Sequence, residues 1–128
     1  MRLILHITDR DAWDQAATGR YYTPPSFGND GFIHCSTVEQ TAQTANLFFR
    51  GREGLVLLCI DKERLEATVK YEPPVAGNVE DRRESQLFPH IYGPLNVSSV
   101  TLVVDLVPKN DGTFELPVEV ENLVDGAR

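Results

Sequence analysis

The chain is short of cysteine, of basic residues and of any long apolar run, and each shortage closes off a class of protein. Only two cysteines, Cys35 and Cys59, occur among 128 residues. Both fall inside apolar runs rather than loops, the pattern of buried free thiols in a reducing compartment and not of a disulfide framework. A cytoplasmic location is therefore expected. Twelve Lys and Arg stand against nineteen Asp and Glu, for a formal net charge of −7. Bulk nucleic acid is excluded as a partner on that balance, because such binders need a basic stripe to displace counterions from phosphates. The one basic cluster, Asp81-Arg82-Arg83-Glu84, is bracketed by acids. A small anionic ligand in a local site stays compatible with the charge. No apolar run approaches the roughly 20 residues of a membrane helix, so no membrane span is expected. The chain also lacks a glycine-rich phosphate loop, a Cys-x-x-Cys pair and an ordered Ser-His-Asp set.

An apolar content of 41% and a charged content of 24% are those of an ordinary globular domain with one core. Residues 1–118 read as a single α+β domain and residues 119–128 as an acidic C-terminal tail, helical or loose. Arg2 to Thr8 alternates as a first strand, and Arg10 to Thr18 follows as a helix with Trp13, Ala16 and Ala17 on its buried face. Gly19 to Asp30 is a long loop, with Tyr21 and Tyr22 before a Pro-Pro pair placed to fold over a site. Gly31 to Cys35 is a second strand, entering a helix that runs to Arg50. Ser36 with Glu39 has the form of a capping box there. Val38, Ala42, Ala45, Phe48 and Phe49 recur on that helix at helical spacing. Gly54 to Ile60 is a strand buried on both faces, and Ala67 to Glu72 another, stopped by Pro73-Pro74. Val75 to Leu87 reads as polar and mobile, Pro89 to Leu95 as irregular or one helical turn, and Val97 to Val107 as a long strand. A hairpin turn at Asn110-Asp111-Gly112 returns through a short strand, Thr113 to Leu116.

Three stretches carry the chemistry-bearing side chains. His6 lies on the first strand, His34 at the end of the second, and His90 in Phe88-Pro89-His90-Ile91-Tyr92-Gly93-Pro94-Leu95. Strand alternation points His34 and Cys35 to opposite faces, so His34 does not activate Cys35 as a nucleophile. The histidine spacings of 28 and 56 residues carry no zinc-ligand signature. The start of the helix after Ser36 offers free N–H groups to an anion. Glu72, at a strand end fixed by two prolines, can orient a ligand hydroxyl or act as a base. Tyr92 beside Gly93 can stack on a flat ring that approaches the backbone closely. Alternation also sets His6 opposite Leu3, Leu5 and Ile7, so that His6, His34 and Tyr92 are expected to open into one pocket.

His6-Ile7-Thr8, Trp13, Gly31-Phe32-Ile33-His34-Cys35-Ser36 with Gln40, Ala45-Asn46, Phe48-Phe49, Leu57 to Asp61 and Phe88 to Leu95 together closely resemble an uncharacterised family catalogued as domain of unknown function 952. The likeness runs from the first strand to Pro117. That family is in turn similar in fold to the ADP-ribosyltransferases, which bind NAD in a cleft between two small β-sheets. The resemblance implies such a cleft here, flanked by two helices. His6 takes the first-strand position of those enzymes, the Gly31 to Ser36 strand the second, and Glu72 the third. His34 stands where a tyrosine is usual, and Ile33-His34-Cys35-Ser36 resembles part of the His-x-His-x-Ser strand of the RNA 2′-phosphotransferases. The implied roles are His6, Glu72 and His34 in catalysis, with Ser36, Tyr21, Tyr22, His90, Tyr92 and Gly93 binding the ligand. NAD or a related nucleotide enters as substrate, and no resident cofactor or metal is implied. Two other classes fit the same residues: a non-catalytic module for a small metabolite or protein, and a hydrolase using His34 and His90 with or without zinc.

Overall fold

Leu55–Asp61 is apolar along almost its whole length, and in the computed structural model all seven of its residues are buried. The structure describes residues 3–74 and 86–126. This strand, β4, lies between β1 (Leu3–Asp9) and β8 (Val100–Leu106) in an antiparallel three-stranded sheet. A second antiparallel sheet orders β3 (Ile33–His34), β6 (Phe88–Tyr92) and β5 (Thr68–Glu72), with β6 in the middle. A two-stranded ribbon pairs β2 (Tyr21–Tyr22) with β7 (Leu95–Asn96). Among the described residues four helices complete the α+β fold: α1 (Arg10–Ala17), α2 (Phe27–Asp30), α3 (Val38–Phe48) and α4 (Val118–Gly126).

The period of two along a strand decides where the cores form. Ile4, Val56, Leu58 and Ile60 leave one face of the first sheet and meet Ile33, Ile91, Trp13, Tyr22 and Leu95. Leu5, Leu57, Cys59 and Val104 leave its other face and meet Val120 of α4, with Val38 of α3 at the edge. A third group joins Ala45, Leu55, Leu106 and Phe114. The two large sheets are tied where Leu5 and Ser36 exchange N–H···O bonds of 2.8 Å.

Several expectations change. Among the described residues three small sheets and four helices stand in place of the two sheets and two helices expected. Phe88–Tyr92 is a strand, although Pro89 lacks an N–H; its carbonyl accepts from the Cys35 N–H at 3.0 Å. Tyr21-Tyr22 is a strand of the ribbon and not a closing loop, and α2 forms in the same stretch. Val97–Ser99 is a 3-10 turn, so β8 begins only at Val100. Residues 113–116 form no strand. Helix α3 is capped one residue later than the Ser36/Glu39 box: Gln40 Oε1 accepts from the Thr37 N–H at 3.0 Å, while Ser36 Oγ donates to Thr44 Oγ1 at 3.1 Å. Phe48 and Ala17 face solvent. The acidic C-terminal stretch is helical through Gly126, and its Val120 is wholly buried. The mobility expected of 75–87 falls mostly on residues 75–85, which lie outside the described residues.

Candidate functional site on the outer face of the second sheet

Cross-strand register places a set of polar and aromatic side chains together. His34 pairs with His90, His90 with Lys70, Tyr92 with Thr68, and Phe88 with Glu72. All these residues therefore share one face of the sheet, opposite Ile33 and Ile91, which are fully buried in the core. The inner face is packed into the core around Ile33 and Ile91; on the outer one Phe88 and His90 are buried, while His34, Lys70, Glu72 and Tyr92 reach solvent.

Glu72 is the centre of that face. Its Oε1 accepts from His90 Nδ1 at 2.7 Å and from the Tyr92 hydroxyl at 2.6 Å. Its Oε2 has no hydrogen bond among the described residues, and the side chain is about one-third exposed at 34%. The bonds from Tyr92 and His90 hold the Glu72 carboxyl below its ordinary pKa, and in return Glu72 raises that of the Tyr92 phenol. Burial lowers the pKa of His90, more than the bond to Glu72 raises it. At neutral pH His90 is therefore the neutral imidazole, with its proton on Nδ1 and a lone pair on Nε2.

Rings frame this pair. Phe32 stacks on His90 at 4.1 Å between centroids and 21° between planes. His34 meets His90 edge-on at 5.6 Å, and Phe32 lies 5.3 Å from Tyr92. His34 is itself held by its Nε2–H, which donates to Asp30 Oδ2 at 2.7 Å from the end of α2. Lys70 Nζ lies 4.7 Å from the centre of the Tyr92 ring, an attraction between cation and quadrupole.

His6 does not open onto this face. It is 6% exposed, its Nδ1 lies 2.6 Å from the His34 carbonyl oxygen and its Nε2 2.9 Å from the Tyr22 hydroxyl. Burial lowers its pKa to about 4, with the His34 carbonyl bond opposing. A neutral His6 must donate from Nδ1 to that carbonyl, so Nε2 is left to accept from Tyr22. The Tyr22 oxygen also lies 2.8 Å from Thr8 Oγ1, and burial raises the Tyr22 pKa to about 12. The single pocket expected of His6, His34 and Tyr92 is thus two places. Strand β3 passes between them, its carbonyl bonded inward to His6 and its imidazole turned outward to Asp30.

The other expected site residues divide in the same way. His34, His90, Tyr92 and Glu72 come together. Ser36 is 5% exposed and tied to α3, and Tyr22 is in the core. Tyr21 and Gly93 line a separate shallow cleft that Tyr92 joins to the face. Phe32, Asp30 and Lys70 were not singled out from sequence. Phe32 and Lys70 carry the signal of alternation, two residues from His34 and Glu72 respectively, whereas Asp30 is reached only through the turn after α2. Among the described residues no group of three His, Cys, Asp or Glu has the geometry to hold a metal ion. No helix among them is long and apolar enough to cross a membrane.

Comparison with known proteins agrees with this fold over nearly its full length. The crystal structure of protein CC0527 from Caulobacter crescentus is 37% identical, with a TM-score of 0.78, covering 93% of this chain and 98% of that one. The solution structure of CC0527 is 40% identical, with a TM-score of 0.73, covering 93% and 97%. No curated protein matches the chain. The family profile described as protein of unknown function DUF952 matches residues 7–103, a span holding β3, β5 and β6 entire, and the chain belongs to that family.

Proposed function

We propose that the chain binds a nucleotide, NAD or ADP-ribose, on the outer face of the second sheet and acts there as an ADP-ribosyltransferase-like domain. The observation that carries this reading is Glu72: an ionised carboxylate oriented by two bonds to one oxygen, with the other oxygen directed to no protein group described. Such an acceptor suits a ribose hydroxyl. Its fixed negative charge also stabilises the positive charge that develops at an anomeric carbon as the glycosidic bond to nicotinamide breaks. The bonding pair leaves with the nicotinamide nitrogen, and water or another nucleophile closes the anomeric carbon. The Nε2 of His90 takes the proton lost by that nucleophile, and Glu72 steadies the resulting imidazolium through Nδ1. Phe32 and Tyr92 offer aromatic surface to a base, and Lys70 offers positive charge to a pyrophosphate.

His6 in this reading is a positioning residue. It acts through the His34 backbone, which it fixes from the core side.

Nicotinamide release from NAD tests the proposal. Wild-type protein is expected to release it steadily, and Glu72→Gln to bind NAD while losing at least about a hundred-fold in turnover, the scale of removing an electrostatic stabiliser. Saturable binding with no release by the wild type would favour a non-catalytic module on the same face.

A further inference from the structure

Beside that face, between the ribbon and the second sheet, lies an open, shallow cleft of about 420 Å³, lined by Tyr21, Glu66, Ala67, Tyr92, Gly93 and Pro94. We propose that it binds an organic cation of the guanidinium type, such as an arginine side chain. The inference does not rest on nucleotide binding at Glu72.

Glu66 supplies the charge. Its backbone is pinned, since the Glu66 N–H donates to Oδ1 of Asn96 at 3.0 Å, and Asn96 is 2% exposed and in turn donates to the Arg64 carbonyl at 3.0 Å. The carboxylate is aimed by the Tyr21 hydroxyl, which donates to Oε1 at 2.8 Å. Among the described residues Oε2 has no hydrogen bond and Glu66 pairs with no cation. A carboxylate held still, yet left without a counter-charge, is half of a charge-assisted pair.

The walls supply the rest. Tyr21 is 47% exposed, with its hydroxyl on Glu66 and its ring bordering the cleft. Both tyrosines bordering the cleft already attract cations of the chain itself: Arg20 Cζ lies 5.9 Å from the Tyr21 ring centre and Lys70 Nζ 4.7 Å from that of Tyr92. Flat cations gain from such faces as well as from the carboxylate. Gly93 keeps the wall low. At φ 153° it takes a conformation that favours glycine, and a Cβ there would come within 3.0 Å of the Ala67 Cβ. The net charge of −7 draws cations to the molecule as a whole.

The probe is N-acetyl-arginine amide, titrated into uniformly labelled protein without nucleotide and followed by amide NMR shifts. Saturable shifts are expected at Tyr21, Glu66 and Gly93, with a dissociation constant on the order of 1–10 mM, the affinity of one partly screened contact. The neutral N-acetyl-citrulline amide should leave those resonances unmoved. Glu66→Gln should weaken the arginine probe about five-fold or more, whereas Glu115→Gln, an exposed carboxylate elsewhere, should not. Tyr21→Phe keeps the ring but releases the carboxylate, so it should weaken the arginine probe as well, by less than Glu66→Gln does. Equal shifts with the citrulline probe, equal affinity in Glu66→Gln, or no shifts at about 50 mM would each overturn the proposal.

Discussion

Replacing His6 by glutamine removes a titrating group from the core while keeping a donor and an acceptor, and it should change how stability depends on pH. Above pH 7 the imidazole is neutral in folded and unfolded chains alike, so burial carries no ionisation cost. Below its ordinary value of 6.5 the unfolded chain takes up a proton that the buried ring refuses until about pH 4. The folded state therefore loses stability across that window, by about 1.4 kcal/mol per unit, or about 3 kcal/mol in all. The ring is 6% exposed, so solvent screening discounts this figure little. Urea unfolding at pH 7.5, 5.5 and 4.0 measures it. With an m-value of about 1–3 kcal/mol/M the wild-type midpoint should fall by roughly 1–3 M more than that of His6→Gln. Other acid-sensitive groups are common to both proteins and cancel in the comparison. Parallel midpoint curves would show that His6 titrates normally, and the burial that lowers its pKa would then not persist in solution.

Other consequences are as direct. Cys35 and Cys59 are buried and burial raises both thiols, Cys59 to about 12, so native protein should react with a maleimide only as fast as it unfolds. Glu72→Gln should lower the Tyr92 pKa towards its ordinary value, read by ultraviolet titration, and lower that of His90 further, read by the imidazole proton shift. An unchanged Tyr92 titration would mean that the Glu72–Tyr92 bond does not persist in solution. Gly93→Ala should cost about 1–3 kcal/mol in urea unfolding, because a non-glycine φ and a close Cβ contact act together.

The parts of the fold that sequence reveals are those whose pattern has one solution. Leu55 to Ile60 has no polar interruption and can only be a strand buried twice over. Cys35 and Cys59 follow from the same logic. Where the pattern has two solutions, sequence alone chooses badly. Ser36-Thr37-Val38-Glu39-Gln40 satisfies the capping-box spacing from either Ser36 or Thr37, and the Leu5–Ser36 bridge draws Ser36 into strand pairing, leaving Thr37 to cap. The two prolines bounding His90-Ile91-Tyr92 argue against a strand. Pro89 nevertheless lies in the central one, its carbonyl still serving the ladder. The site was partly legible. Alternation set His34 against Cys35, but it cannot say which face of a strand meets a core when both faces of β1 do. Ile4 joins one core and Leu5 another, so His6 is enclosed between sheets rather than open beside His34.

The central claim is that a nucleotide occupies the Glu72 face, and an amide and imidazole NMR titration with ADP-ribose tests it most directly. The account predicts saturable shifts, at millimolar ligand or below, clustered on Phe32, His34, Glu72, His90 and Tyr92 and lost in Glu72→Ala, with His6 responding only through the His34 backbone. Shifts absent at 10 mM (roughly the weakest affinity expected of a metabolite site), or gathered elsewhere on the molecule, would contradict it.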